Sequence, residues 1–257
     1  MARQVNKLYN GTVTLYFNEK ARNRYMLEDD HSPVGVTTVL QTLNKPALMT
    51  WPMHEAIDYL KKHPEDYEGA EKAYLKKSDA GKDTGTAIHF AVETFLNDQI
   101  GGYQSIIVPK HPDAGRAYSS FVDWYRSQKI RPLAVEQVVY SMDKDFAGTY
   151  DCLLEIDGQT VLCDLKTTNV SRSAPKGIYA EMFLQLGAYS LAHHEENPLE
   201  TIEDLMVIRV GKDGIVYTLR ASQISLSVKD CEQAFTKVLG AYRFMTPLSK
   251  QLQEEKV

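Results

Sequence analysis

Asp151 and Asp164 stand on either side of Asp157-Gly158, and Lys166 follows Asp164 by two residues. Asp-Gly between two apolar-rich runs is the strongest short signal for a two-residue β-hairpin turn. With that turn, Ile156 faces Gln159 and, counting back along both strands, Asp151 faces Asp164. Alternation supports the register. Cys152, Leu154, Ile156, Val161, Cys163 and Leu165 make one face, apolar apart from Gln159 beside the turn; Asp151, Leu153, Glu155, Thr160, Leu162, Asp164 and Lys166 make the other. Directly opposed side chains lie roughly 5 Å apart at Cβ, and like charges there destabilise a sheet. Something must offset the cost of two facing carboxylates, and a divalent cation does so through hard oxygen ligands. Lys166 then reaches the same face with a positive charge. The plainer alternative is a solvated strand face that carries two unrelated aspartates.

The elements that must position this hairpin can be read from periodicity. Thr12–Phe17 and Tyr25–Leu27 read as short strands, and Asp29–Pro33 as a loop. Thr37 or Thr38 can cap a short helix running through Leu43, and Pro46 can open a second helix toward Leu60. Residues 63–82 are charged and read as part helix, part loop. A helix over 84–97 follows, with Ala87, Ile88, Ala91, Val92, Phe95 and Leu96 as its apolar stripe. Another spans 113–128. Three β-rich runs come next, 135–140, 149–156 and 160–166, then a helix over 178–194. Strands at 205–210 and 215–219 flank Lys212-Asp213-Gly214, and a closing helix covers 226–244. This order predicts an α/β (α+β) fold, a mixed sheet with helices against it. Residues 1–83 are expected to form a β/helical elaboration packed on a core of residues 84–257, the whole making one compact domain.

Composition narrows the class. At 257 residues with 43% apolar content, the chain is long enough for one sizeable core. It has no apolar run of bilayer length and no signal-peptide core behind its first residues, so a cytoplasmic location is the default expectation. Its three cysteines, at 152, 163 and 231, are too scattered for a disulfide framework, a zinc site or an iron–sulfur cluster. The net charge of −5 does not advertise a nucleic-acid binder, though acidic residues at a centre can mask basic ones around it. Gly81-Lys82-Asp83 is not a phosphate-binding P-loop: the spacing of glycines is wrong and no Ser or Thr follows the lysine.

Four short motifs then stand in order. Gly85-Thr86-Ala87-Ile88-His89, Gly148-Thr149-Tyr150-Asp151, Asp164-Leu165-Lys166 and Gln185-Leu186-Gly187-Ala188-Tyr189 resemble the GxxxH, GxxD, (D/E)xK and QxxxY motifs of RecB-type nucleases in the PD-(D/E)XK superfamily. A lone DxK has no value as a signal; four in sequence, with a hairpin joining the middle two, are specific. The resemblance covers about residues 84–220. More loosely, residues 33–40, Lys45–Leu48 and Trp51 are similar to the opening segment of phage-type exonucleases and of mitochondrial genome maintenance exonucleases. It implies a restriction-endonuclease-like core and a Mg²⁺- or Mn²⁺-dependent DNA exonuclease acting on single-stranded or frayed ends, in replication, recombination or repair, within a bacterial or phage-infected cell. One or two ions, no iron–sulfur cluster and no nucleotide are expected, with a recombination or single-strand-binding protein as a possible partner.

The resemblance assigns Asp151, Asp164, His89 and the Leu165 carbonyl as metal ligands. An imidazole suits Mn²⁺ better than Mg²⁺. It gives Lys166 the role of positioning or deprotonating water and of stabilising charge on the phosphate, with a 5′-phosphate and a 3′-hydroxyl as products. Gln185 and Tyr189, one helical turn apart, would support the metal site or the phosphate. Glu93, one turn after His89, and Glu136, on the strand before, are further acidic candidates. Lys144, Arg172 and Lys176 are candidate DNA-phosphate contacts, and Tyr16, Tyr25, Tyr150 and Tyr179 candidate base-stacking residues. Three other readings stay open. The chain could be a structure-selective endonuclease of the same fold, a non-catalytic DNA-binding or assembly subunit, or an unrelated sugar- or nucleotide-binding α/β protein.

Overall fold

A computed structural model describes residues 4–18, 24–43, 46–103, 107–167 and 177–254. Its centre is a mixed sheet. β6 (Phe146–Ile156) and β7 (Gln159–Lys166) form the hairpin, and β5 (Ile130–Ser141) lies antiparallel along the other edge of β6. β8 (Asp204–Val210) runs parallel to β7, and β9 (Val216–Arg220) antiparallel to β8. The short β4 (Val34–Gly35) adds in parallel at Phe146–Ala147. The hairpin register is the expected one: Ile156 pairs with Gln159, and pairing continues in step to Cys152 opposite Cys163. Asp157 (φ 52) and Gly158 (φ 82) both take left-handed backbone, the geometry of a type I′ turn.

Helices cover both faces. On one side, α5 (Ala180–Glu196) and α6 (Val228–Glu254) pack with α1 (Val36–Leu40) over Leu153, Leu162, Leu205 and Val207. On the other, α3 (Tyr67–Gly101) and α4 (Pro112–Arg126) cover Cys152, Leu154, Val161, Cys163 and Ile208. The apolar stripe expected on residues 84–97 supplies Ile88, Val92, Phe95 and Leu96 to this second core. A three-stranded sheet, β1 (Gln4–Leu8), β2 (Val13–Phe17) and β3 (Tyr25–Leu27), sits over Val138, Tyr140 and Ala147. All three cysteines are free and buried. No helix among the described residues is long and apolar enough to cross a membrane.

The expected elements differ from the fold in a few places, each with a physical reason. Residues 63–82 are part loop and part helix as expected, with the loop confined to 63–66: α3 starts at an Asp66 cap, whose side chain accepts from the Gly69 amide, and α2 (Pro46–Lys62) packs beside it. The boundary expected at residue 83/84 therefore falls inside α3, which crosses it without a break. The short helix α1 starts after Gly35 and has no side-chain cap, so neither Thr37 nor Thr38 plays that part; it also stops at Leu40 rather than Leu43.

Candidate active site

The site lies where β6 and β7 part. Their ladder ends at Cys152 and Cys163, and in the gap beyond it the Leu165 amide donates to Asp151 Oδ2 at 2.5 Å. One residue's N–H and C=O leave a strand on the same edge, so the Leu165 carbonyl shares this gap. The strict alternation expected of the hairpin fails here. Tyr150 and Leu153, three residues apart, both join the α5-side core, while Cys152 joins the α3-side core. Asp151 lines a small cavity with Cys152, His89, Glu93 and Glu136. Glu136, on β5 in the rung beside Asp151, has a φ of 48°, which is strained for a non-glycine residue in a strand. The distortion lets Asp151 turn toward α3 while Asp164 keeps its place in the alternation, so the pair meets across the gap rather than on one flat face.

Asp164 is 1% exposed. Lys166 Nζ donates to its Oδ1 at 2.6 Å and lies 2.5 Å from Oδ2, which receives the charge but no directed hydrogen bond. His89 Nδ1 is 3.9 Å from Asp151 Oδ1. The charges follow from this packing. Burial pushes the Asp164 carboxyl up to about 6, with Asp151 adding to the shift and Lys166 opposing it. Burial raises Asp151 as well, against the pull of Lys166 and the Leu165 amide. Burial and the Lys166 charge lower His89 to about 4, leaving a neutral imidazole with a free lone pair near neutral pH. Burial works against the Lys166 ammonium, but Asp164 and Asp151 outweigh it and hold its pKa above the ordinary lysine value.

The remaining residues arrive from α3 and α5. Gln185 Nε2 donates to Tyr189 Oη at 2.8 Å. Burial, and then Asp164, push the Tyr189 hydroxyl well above its usual range, so it stays protonated beside the acids. Its ring lies against Gly148, where an added Cβ would overlap it. The first glycine of GxxD is thus a packing requirement. Gly148→Ala should destabilise the fold by about 1–3 kcal/mol through overpacking, read as a lower urea midpoint with an unchanged m-value. A midpoint equal to wild type would show that the ring can move aside freely. Gly85 plays a similar part on α3, where a Cβ would come 2.8 Å from Thr167 Oγ1, just past the end of β7.

Of the acidic candidates, Glu93 lines the cavity and has its pKa raised by burial and then by Asp151. Among the described residues, no hydrogen bond joins it to His89, so it does not orient the imidazole as expected. Glu136 comes closer to a ligand's place: His89, Glu136 and Asp151 each offer one donor atom, all within 4.8 Å of one another. This set, the neutral imidazole and the unbonded Asp164 Oδ2 fit a divalent cation. Its signal in the sequence was only a carboxylate preceding the hairpin, because nothing in a glutamate announces a left-handed backbone. Lys144 is not brought to the site. It occupies the turn between β5 and β6, paired with Asp143 at 2.8 Å and seven residues, or roughly 20 Å of strand, from Asp151. Arg172 and Lys176 lie outside the described residues. Tyr25 and Tyr150 are buried, at 8% and 1% exposure, so neither can stack on a base; Tyr25 instead hydrogen-bonds Thr149.

Comparison with known proteins gives a similar solved structure and a family. The chain is similar to the crystal structure of an alkaline exonuclease (LHK-Exo) from Laribacter hongkongensis, at 11% identity and a TM-score of 0.35 over 86% of this chain and 94% of that one. At that level the likeness decides nothing about function. No curated protein matches. A family model described as the PD-(D/E)XK nuclease superfamily matches residues 110–238, which include the hairpin, α5 and strands β8 and β9 but leave His89 outside. Half of the chain is covered, including both acids and the lysine, and the mixed sheet flanked by helices agrees with that fold, so the protein belongs to the PD-(D/E)XK nuclease superfamily.

Proposed function

We propose that the protein is a divalent-metal-dependent deoxyribonuclease that hydrolyses phosphodiester bonds as an exonuclease on single-stranded or frayed DNA ends. The observation that carries the hydrolytic part is the meeting of Asp151, Asp164, His89 and Lys166 in one strand gap, with more carboxylates than ammonium groups. The exonuclease part rests on the order of the four motifs.

Asp151, Asp164, His89 and the Leu165 carbonyl would hold the ion, with Glu136 as a further donor from the α3 side. Once bound, the ion supplies Lewis-acid stabilisation of the phosphoryl oxygens and acidifies the attacking water. Lys166, kept charged by Asp164, orients that water and offsets negative charge developing on the phosphate. Tyr189, fixed by Gln185 and packed against Gly148, keeps a neutral hydroxyl within electrostatic reach of Asp164 and so adds no charge to the site. Residues 1–83 act as an elaboration of the same domain, since β4 joins the central sheet and α3 is shared.

The test compares end-labelled linear single strands, linear duplexes, covalently closed circles and RNA, each with Mg²⁺ and Mn²⁺. Linear DNA is expected to shorten from an end to mono- or short oligonucleotides while circles persist. Nicked circles would replace the exonuclease reading with that of an endonuclease. Intact DNA in every lane would leave a binding subunit.

A further inference from the structure

The exposed start of α3 is not used by the chemistry above. Along this helix, Gly85 meets Thr167, His89 meets Asp151, and Val92 and Leu96 reach the cavity lined by Cys152 and Leu165. The helix therefore runs antiparallel to β7, and the part before Gly85 continues past the end of that strand, beyond the site. Lys82 lies seven residues before His89. Seven residues are two helical turns, so Lys82 projects from nearly the same face, about 10 Å farther along the axis. Its ammonium pairs with Asp79 at 3.2 Å, with side chains 73% and 68% exposed. An ion pair that open to water holds its partners weakly.

We propose that Lys82 contacts a DNA phosphate on the stretch of strand adjoining the nucleotide at Asp151 and Asp164, exchanging Asp79 for that phosphate. This rests on the nuclease reading above. The first half of α3, supported by α2, then serves as a rail that fixes the path of the strand into the site. Lys82 touches the substrate away from the reacting atoms, so it governs affinity rather than the chemical step.

The test is the salt dependence of binding, measured by fluorescence anisotropy of a labelled single-stranded oligonucleotide with Ca²⁺ as the divalent ion, so that turnover is not required. Each phosphate contact on a single strand contributes about 0.7 to the slope of log K against log salt. Lys82→Ala should flatten that slope by about 0.7 and weaken binding about eightfold at 50 mM salt, falling to about threefold at 200 mM. Lys82→Arg should restore both. In hydrolysis assays KM should rise while kcat stays within about twofold of wild type. Lys129→Ala is the control, since Lys129 sits beside the hairpin turn at the far end of the sheet. A Lys82→Ala slope equal to wild type, or an equal loss from Lys129→Ala, overturns the proposal. Wild type that binds but cleaves nothing overturns the nuclease reading instead, with the slope comparison still deciding the role of Lys82. Wild type that does not bind DNA overturns both.

Discussion

Lys166→Ala is expected to lower single-turnover DNA hydrolysis with Mn²⁺ by about 10²–10³-fold, the usual cost of deleting one preorganised electrostatic group, while the protein stays folded. Asp164→Ala should lose at least as much, because it removes a carboxylate that the metal site needs. Retained folding follows from the charges. Lys166 ends a strand and its side chain is partly exposed, so its loss opens no cavity in the cores. It leaves Asp164 without its lysine, but burial already pushes that carboxyl up and the loss of Lys166 raises it further, so it would take up a proton rather than remain as an isolated buried charge. Circular dichroism and a cooperative melt would check this. Lys166→Arg divides the two roles given to the lysine. A guanidinium keeps the charge but does not deprotonate, so partial activity supports positioning and electrostatics, whereas a loss as deep as that of alanine favours proton transfer. Undiminished cleavage by Lys166→Ala or Asp164→Ala removes the proposed mechanism altogether.

The hairpin was legible because two independent signals agreed on it, the Asp-Gly turn and the period-two alternation of Cys152 to Ile156 against Val161 to Leu165. Such agreement between levels is what lets a sequence specify one register. The same rule failed at Asp151, and the reason is local. The alternation breaks beside Glu136, whose left-handed backbone no sequence pattern marks, and backbone of this kind gathers at functional sites, where the surrounding structure holds it in place. The first half of α3 was read only as part helix, part loop, with no boundary between them, for another reason. Its residues form no long apolar stripe, since α2 covers only part of it, and helicity supported by a neighbour does not show in periodicity. His89, which the structure brings to 3.9 Å from Asp151, was singled out through the motif order rather than through chemistry, because one histidine at the border of an apolar stripe is ordinarily part of a core. Tyr25 and Tyr150 show the reverse error: aromatic residues placed near the motifs proved to be core, which is the commoner fate of tyrosine in a packed sheet.

Adding Mn²⁺ or Mg²⁺ to metal-free protein should raise its melting temperature, and a chelator should reverse the rise and abolish hydrolysis. With free ion at 100 times its dissociation constant, linkage gives about 2.7 kcal/mol, which for a chain of this size is roughly 5–10 °C. The size of the effect comes from the strand gap. Asp151 and Asp164 are both held above the ordinary carboxylate range by burial, Glu93 is raised by burial and by Asp151, and Glu136 lies within reach of the same cavity. Among the described residues, Lys166 is the one ammonium paired with Asp164, so without an ion this group of acids carries negative charge in excess of it. This gives a test of sign as well as of size. Asp151→Asn keeps an oxygen for the Leu165 amide but removes one charge, so the metal-free variant should melt at or above wild type and show little further rise with metal. Glu136→Gln and His89→Ala should each shrink the metal-induced shift, since both donors lie with Asp151 inside 4.8 Å. Glu155→Gln, which affects only an exposed pair with Arg131, should leave it unchanged. A wild-type melting temperature that ignores divalent ions, or an equal rise in Asp151→Asn, would mean that the acids are strained for some purpose other than holding a cation.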